Sequence, residues 1–337
     1  MAAPARAALV IGDANVDLVV RLPTSGSLPP GLPSPALTGG GTAANTAVAL
    51  ARLGVPVALV GAVGDDGYGR LVGRDLAAAG VDTTHMVTHR EAFTALVLAV
   101  IDGEGERTVF GWPRRGAAHT TLAPEQIDEA AIRRAAWVHT TGMCLVEPPS
   151  RDAVLGGMAL AREAGVPVSL DLNLRAGIVD GALDRDYAAT LWAAVAHADY
   201  VLGSLRDEIA PLGAADPVGA TLERLADSGQ TVVARLGAAG ATLVSARGSE
   251  TVPAFEVPVV DTLGAGDVFD AGFIAARLAG RGVREATRWG NAAAALKLGR
   301  QGGRGSPTRA ELDTLLRDGV ARDAARAPSP AGRGAPP

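Results

Sequence analysis

The chain has 337 residues, 48% of them hydrophobic and 20% charged, and a formal net charge of −5. This size supports one large or two smaller cores. The acidic balance and scattered arginines disfavour a nucleic-acid partner. No apolar run approaches the roughly 18 residues of a membrane span, and residues 1–6 contain no apolar core of signal-peptide length. We therefore expect a cytoplasmic protein without a membrane partner.

Strand and helix signals alternate along the chain. The predicted strands are 7–12, 58–63, 137–140, 166–170, 200–202 and 231–235. The predicted helices are 41–53, 67–79, 125–134, 150–163, 188–196 and 215–227, followed by a helical block from 266 to about 320. Continuous apolar strands that alternate with helices predict an α/β fold, with a mostly parallel sheet covered on both faces. Ligands bind such sheets at the carboxyl ends of the strands.

Two segments interrupt this rhythm. Residues 19–38 are rich in Pro and Gly, and residues 93–110 resemble two strands around the turn 102–105. Both patterns are typical of β-hairpins outside a main sheet. They form either a flap that closes over a substrate or a surface hairpin without a role in function. From Ala321 the composition turns to Ala, Pro, Gly, Ser and Arg, which predicts a disordered tail over 321–337.

Two glycine turns lead into helices at distant points of the chain. The first, around Gly40 and Gly41, precedes an apolar helix with Asn45 in its first turn. The second runs through Gly264, Ala265 and Gly266. Backbone N–H groups at such a helix start can converge on a phosphate oxygen.

Asp267 follows the second turn directly. A carboxylate beside a bound phosphate makes chemical sense if it takes the proton from a hydroxyl that attacks phosphorus. The alternative is that Asp267 and Asp270 simply complement the helix dipole.

Single residues exclude several enzyme classes. Lys297 is the only lysine, and it does not stand in a Gly-Lys-Ser or Gly-Lys-Thr loop, so a Walker phosphate loop and a protein-kinase site are both excluded. Residues 12–17 lack the Gly-x-Gly-x-x-Gly pattern of a dinucleotide dehydrogenase. The single cysteine, Cys144, excludes an internal disulfide.

The two glycine segments together resemble the signatures of the ribokinase-like (PfkB) carbohydrate kinases. The similarity covers roughly residues 7–316, with both signatures in the correct order. It implies a three-layer α/β/α kinase domain over 7–320 with a small β-sheet lid from segments of about 14–38 and 93–115. It also implies ATP-dependent phosphorylation of a sugar hydroxyl.

The resemblance also implies roles for individual residues. Asp267 would be the general base, and Gly264, Ala265 and Gly266 the anion hole. The residues expected to hold the sugar are Asn15, Asp17, Gly40, Gly41 and Asn45. The residues expected near the nucleotide are Ser204, Arg235, Gly237, Gly240, Asn291 and Gly302.

Metal binding is the point where the sequence departs from the family. The family's Asn-x-x-Glu segment, which organises Mg²⁺, is replaced here by Ser204-Leu-Arg-Asp207 followed by Glu208. Either carboxylate can hold a magnesium-bound water, or both can serve as helix-start acids. Some members bind a monovalent cation such as K⁺, at positions that correspond to Asp261, Leu263, Lys297, Gly302 and Ser306.

The sugar itself is less well defined. Residues 169–175 and 110–115 resemble segments of 2-keto-3-deoxygluconate kinases and fructokinases. Arg115 and Arg175 in these segments would suit a sugar-acid carboxylate. The same arginines can equally serve ATP or structure. A nucleoside kinase and a non-catalytic sugar or nucleotide sensor on the same fold are the alternatives. An exposed lid edge would allow a homodimer.

Overall fold

A computed structural model describes residues 6–22, 35–103, 107–112, 116–174, 178–179, 182–214, 216–227 and 229–326, to which the structural statements below apply. The strands are β1 Ala8–Ile11, β2 Asn15–Arg21, β3 Ala36–Gly40, β4 Val57–Gly64, β5 Met86–His89, β6 Leu96–Ile101, β7 Arg107–Trp112, β8 Trp137–Thr141, β9 Val168–Asp171, β10 Ile178–Val179, β11 Ala182–Leu183, β12 Tyr200–Ser204, β13 Thr231–Arg235, β14 Ala241–Ser245 and β15 Gly248–Val252. The helices are α1 Thr42–Arg52, α2 Gly67–Ala78, α3 Glu129–Arg134, α4 Ser150–Glu163, α5 Arg185–Val195, α6 Ala210–Leu212, α7 Val218–Ala226, α8 Ala265–Leu278, α9 Val283–Leu298 and α10 Arg309–Arg326.

The main sheet has the strand order β15-β14-β13-β12-β9-β8-β1-β4-β5 among the described residues. From β13 to β5 neighbouring strands pair in parallel, and β14 and β15 continue the other edge antiparallel. The predicted mostly parallel sheet is therefore confirmed. The antiparallel hairpin of β14 and β15 was not among the predicted strands.

Helices cover both faces of this sheet. Along β1, Ala8 and Val10 pack into one apolar cluster, whereas Leu9 and Ile11 pack into the other. This alternation is the two-residue period of a strand buried on both sides. The first cluster is completed by α1, α2, α8, α9 and α10, and the second by α3, α4, α5 and α7. The α/β fold with three layers is thus confirmed.

Polar residues lie at the carboxyl ends of the parallel strands, at one edge of the main sheet. The carboxyl ends of β9, β12 and β13 carry Asp171, Ser204 and Arg235, and Asp13 follows the end of β1. Because parallel strands end at the same edge, residues far apart in sequence meet there. This edge holds the candidate site.

A second, smaller sheet lies outside the main one, with strand order β3-β2-β6-β7. β2 pairs antiparallel with β3 and parallel with β6, and β6 pairs antiparallel with β7. It is built from the two segments that interrupt the alternation of the main elements. Residues 23–34, 104–106 and 113–115 of the predicted lid lie outside the described residues.

Several helix boundaries differ from the predicted ones. α5 begins three residues before the predicted start at 188, and α7 begins three residues after the predicted start at 215. The helix expected over 125–134 starts only at Glu129, because Asp128 caps it by accepting from the Ala131 N–H. The long carboxy-terminal block is three helices, interrupted around residues 279–282 and 299–308. α10 continues to Arg326, so the first six residues of the predicted disordered tail are helical, as the helix-forming Ala and Arg of that stretch favour. Residues 327–337 lie outside the described residues.

No described helix combines the length and the apolar character needed to cross a membrane.

Candidate active site

The second glycine turn opens α8 at the edge of a large cavity. Gly264 is the N-cap, with a left-handed φ of 76°. A Cβ there would lie 2.9 Å from the Gly303 carbonyl oxygen, so both conformation and space favour glycine. Ala265 and Gly266 line a cavity of about 910 Å³. Among the described residues no side chain caps this helix, so its start is open on the cavity side.

The two glycine segments meet through hydrogen bonds between α1 and the start of α8. The Asn45 amide, in the first turn of α1, donates to Oδ2 of Asp267 at 2.7 Å. The neighbouring Thr46 hydroxyl donates to the Asp267 carbonyl oxygen at 3.3 Å. Asp267 is only 5% exposed, so α1 fixes the orientation of this carboxylate at the start of α8.

The predicted sugar residues cluster beside this pair. In the small sheet Asn15 pairs with Gly40, and the Asn15 amide donates to Oδ1 of Asp17 at 2.9 Å. A Cβ on Gly40 would lie 2.4 Å from the Asp17 carboxyl carbon, so only glycine leaves room for that carboxylate. Gly41 is the N-cap of α1. The structure therefore brings Asn15, Asp17, Gly40, Gly41 and Asn45 together with Asp267.

Asp13 is a residue of this corner to which the sequence analysis gave no role. Its carboxylate accepts from the Thr42 N–H at 2.9 Å, the Thr42 hydroxyl at 2.8 Å and the Ala43 N–H at 3.1 Å. It thus caps α1 from the loop after β1. Asp13 lies in the segment 12–17 that the sequence analysis had already singled out. Its role as a cap could not be seen there, because the helix that it caps starts 29 residues later.

Arg304 is a second residue that the sequence analysis missed. Its guanidinium donates to the carbonyls of Gly39 at 3.0 Å and Gly40 at 3.4 Å, and pairs with Asp75 at 3.0 Å. Burial lowers the pKa of Arg304, against the raising effect of nearby carboxylates that include Asp17. The guanidinium therefore fixes the end of β3 beside the predicted sugar residues.

The 910 Å³ cavity has two kinds of wall. Its polar lining includes Ser204, Asp207, Glu208, Arg235 and Asn291. Its apolar lining comes largely from the segment 254–259 and from α9. Five of the six predicted nucleotide residues line it, namely Ser204, Arg235, Gly237, Gly240 and Asn291. A cavity lined by both apolar and polar side chains suits a base and its phosphates.

Arg235 is bound by three carboxylates at this cavity. Its guanidinium lies 2.6 Å from Asp171, 2.8 Å from Asp270 and 3.2 Å from Glu208. Burial opposes the charge, but these carboxylates outweigh it and hold the pKa of Arg235 well above its usual value. The same guanidinium donates to the Gly266 carbonyl oxygen at 3.4 Å, which links the cluster to the start of α8.

Asp270 belongs to this cluster. Burial, and next the Asp171 carboxylate, raise the pKa of Asp270 well above its usual range, although Arg235 opposes this. Its side chain therefore does more than complement the helix dipole, which was the alternative that the sequence left open.

The segment that replaces the family's magnesium motif forms a capped π-helical turn over Leu205–Ile209. Ser204 Oγ donates to Oδ2 of Asp207 at 2.9 Å and accepts from its N–H at 3.2 Å, while the Ser204 N–H donates to Oε2 of Glu208 at 2.6 Å. Glu208 thus caps the turn and binds Arg235. Asp207 is exposed at the cavity.

The residues predicted for a monovalent cation form a hydrogen-bonded cluster around Asp261. Asp261 accepts from the Leu263 N–H and the Gly302 N–H, both at 2.9 Å. Lys297 is fully buried, and its ammonium donates to the Asp261 carbonyl oxygen at 3.0 Å. Gly302, also predicted near the nucleotide, therefore lies beside Asp261. Ser306 is buried, and its hydroxyl has no hydrogen-bond partner among the described residues.

Residues 5–309 match the family described as pfkB family carbohydrate kinase. The chain belongs to this family. The resemblance seen in the two glycine segments is confirmed, and with it the class of enzyme, a phosphotransferase that acts on an alcohol group.

Relatives of the pfkB kinase span nearly its whole length. An ATP-dependent ribose-1-phosphate kinase from Halopiger xanaduensis is 38% identical over 283 residues, which cover 83% of this chain and 86% of the relative. A fructokinase from Xylella fastidiosa, solved with bound ATP, is 27% identical with a TM-score of 0.83, over 93% of this chain and 99% of that one. An aminoimidazole riboside kinase from Salmonella enterica is 30% identical with a TM-score of 0.76, over 92% and 99%.

Two predicted sugar residues of this pfkB kinase are arginines. Arg115 and Arg175 both lie outside the described residues. Their assignment to a sugar-acid carboxylate stays a prediction.

Proposed function

We propose that this protein transfers the γ-phosphoryl group of ATP to a hydroxyl of a small sugar or sugar acid, with Asp267 as general base. The contact between Asn45 and Asp267 carries this proposal, because it joins two glycine turns that are remote in sequence. Asn45 donates to one carboxylate oxygen and so orients the other for a substrate hydroxyl. A positioned carboxylate that takes this proton contributes roughly 10²–10⁴-fold to the rate.

Gly264, Ala265 and Gly266 would serve as the anion hole. The start of α8 lines the cavity without a capping side chain among the described residues, and its N–H groups and dipole favour a phosphate there. Such fixed donors stabilise charge that develops on a transferring phosphoryl group. Asn15 and Asp17 would bind the sugar hydroxyls, since an amide and a carboxylate supply the donors and acceptors that orient a polyol.

ATP would occupy the 910 Å³ cavity. The apolar side chains of 254–259 and α9 that line it suit the adenine, and Arg235 of its polar lining contacts the first turn of α8 at Gly266. The Asp207 carboxylate fits a magnesium ion at this end, since it is exposed at the cavity beside the capped turn. Mg²⁺ supplies charge neutralisation on the phosphates when it is bound.

The sugar class can be narrowed by the relatives. Ribose-1-phosphate and aminoimidazole riboside, the compounds in the names of two of them, share a ribose ring with a substituent at carbon 1. We infer that ribose substituted at this carbon is the first class to test. Sugar acids come second, because they depend on Arg115 and Arg175.

The small sheet would act as the lid and as a dimer contact. Val109 and Phe110, neighbours on β7, are 56% and 53% exposed, and their side chains point to opposite faces of the strand. One face would cover the substrate and the other a second copy of the chain. Light scattering on the purified protein tests the dimer, and a monomer at all concentrations contradicts it.

A coupled ADP-release screen tests the function. The panel contains ribose 1-phosphate, nucleosides, ketoses, aldoses and 2-keto-3-deoxy acids, with an acceptor-free reaction as control. We expect one class to release ADP far above this control. Binding of sugar and ATP without transfer to any acceptor would contradict the proposal and favour a non-catalytic sensor.

A further inference from the structure

Lys297 lies among the residues at which the fold family implies a monovalent cation. Its ammonium donates to the carbonyl oxygens of Asp261 and Arg300, both at 3.0 Å. The side chain is 0% exposed, and it is the only lysine in the chain. A buried ammonium is costly unless its donors are satisfied, so this contact is a built feature of the fold.

The two carbonyls belong to different parts of the site. Asp261 lies three residues before the glycine turn at Gly264, whereas Arg300 lies in the loop after α9. The Asp261 carboxylate also accepts from the Gly302 N–H, which ties the same two segments together. The ammonium therefore holds the loop after α9 against the segment that leads into the anion hole.

The chemistry of this contact matches that of a bound ion. Carbonyl oxygens bind K⁺ by replacing its hydration shell, and a lysine ammonium presents three N–H donors to the same kind of oxygen. A separate cation next to a buried ammonium would suffer like-charge repulsion at low dielectric. The residues that are present consequently do not fit a separate monovalent ion.

We propose that the Lys297 ammonium is a tethered replacement for that ion, so that this kinase needs no K⁺ or other monovalent cation. The activity test of this inference rests on the proposed function, whereas ion binding can be tested by melting temperature alone. Lys297 acts as a positioning residue, through the main chain before Gly264.

The first experiment uses the unmodified protein. ADP release is measured in choline, sodium, potassium and ammonium chloride at matched ionic strength. We expect kcat and KM to agree within about twofold across the four salts, because equal ionic strength keeps screening equal. A selective rise in kcat of more than this in K⁺ or NH₄⁺ would overturn the proposal, and no variant has to fold for this test.

The second experiment removes the ammonium. In Lys297→Ala the carbonyls are left for a free ion, so K⁺ or NH₄⁺ should restore kcat selectively over choline. A bound ion should also raise the melting temperature by about 2–4 °C over that in choline. The matched control is Arg288→Ala, which removes another largely buried cation that donates to a main-chain carbonyl, that of Leu316. Its melting temperature should show no preference for K⁺.

The outcomes separate the two proposals. If Lys297→Ala is folded and neither its melting temperature nor its kcat responds to K⁺ or NH₄⁺, the tethered-ion proposal is wrong. If this variant does not fold, Lys297→Met, which fills the space without a charge, should lose activity that no salt restores, and full activity would overturn the proposal. If the unmodified protein phosphorylates no acceptor, the proposed function fails, whereas the melting experiment still decides the cation site.

Discussion

Two cations flank the glycine turn at Gly264, and their surroundings differ. Arg235 is bound by Asp171, Asp270 and Glu208 on the Gly266 side. Lys297 donates to two main-chain carbonyl oxygens on the Asp261 side. The planar guanidinium suits several carboxylates at once, whereas the compact ammonium suits carbonyl dipoles that can also bind an ion. The comparison indicates that Arg235 neutralises the negative charge of nearby carboxylates. Lys297 instead supplies a positive charge to uncharged carbonyl oxygens.

Replacing Arg235 should have the largest effect on stability. Arg235→Met leaves buried carboxylates without their cation, which is expected to lower the free energy of unfolding by about 3–5 kcal/mol near pH 8. The loss should shrink as pH falls, because the Asp270 carboxyl, whose pKa is raised, takes up a proton in the folded state. Urea unfolding at pH 8 and pH 5.5 measures both effects.

Lys297→Met is the matched variant for this comparison. Its loss of stability should change less between the two pH values, since carbonyl oxygens do not titrate. If Arg235→Met lowers the free energy of unfolding equally at both pH values, Arg235 and Lys297 do not differ in this way.

His139 reports on the Arg235 side. It lies on β8 with Nδ1 2.8 Å from Ser169 Oγ, and burial lowers its pKa to about 4. The folded protein then binds fewer protons than the unfolded chain between about pH 4 and 6.5, so stability should fall by about 3 kcal/mol as pH drops through this range. In His139→Gln this part of the pH dependence should disappear in urea unfolding from pH 7 to 4. An unchanged slope would show that other groups cause it.

Asp270→Asn should have the smallest effect. Because the pKa of Asp270 is raised, a neutral amide of the same shape keeps an acceptor for Arg235, and we expect a loss of only about 1 kcal/mol. Asp270→Ala removes the acceptor and should cost more. Equal losses in both variants, measured by thermal unfolding, would mean that hydrogen bonding by Asp270 contributes little.

Local signals in the sequence were sufficient for much of the fold and for one half of the site. Apolar strands alternating with helices predicted the parallel sheet, and glycine turns predicted the helix starts at Gly41 and Gly264. Asn45 and Asp267 were expected on these helices, but their direct contact spans 222 positions and no local pattern shows it.

The parts that could not be predicted depend on long-range pairing. Arg235 meets Asp171 and Asp270 across 64 and 35 positions. Arg304 reaches Gly39 across 265 positions from a loop without any helix or strand signal. The sequence also could not show that the Lys297 ammonium itself contacts the carbonyl oxygens, because the aligned position of Lys297 indicated only a main-chain ligand of a bound cation.

The most direct test of the proposed chemistry is single-turnover phosphoryl transfer by the unmodified protein and by Asp267→Asn, with ATP affinity measured alongside. The amide keeps the shape of the side chain but cannot accept the hydroxyl proton. We expect transfer to slow by at least about 100-fold while ATP affinity stays unchanged. Transfer within a few-fold of the unmodified rate would show that Asp267 is not the base.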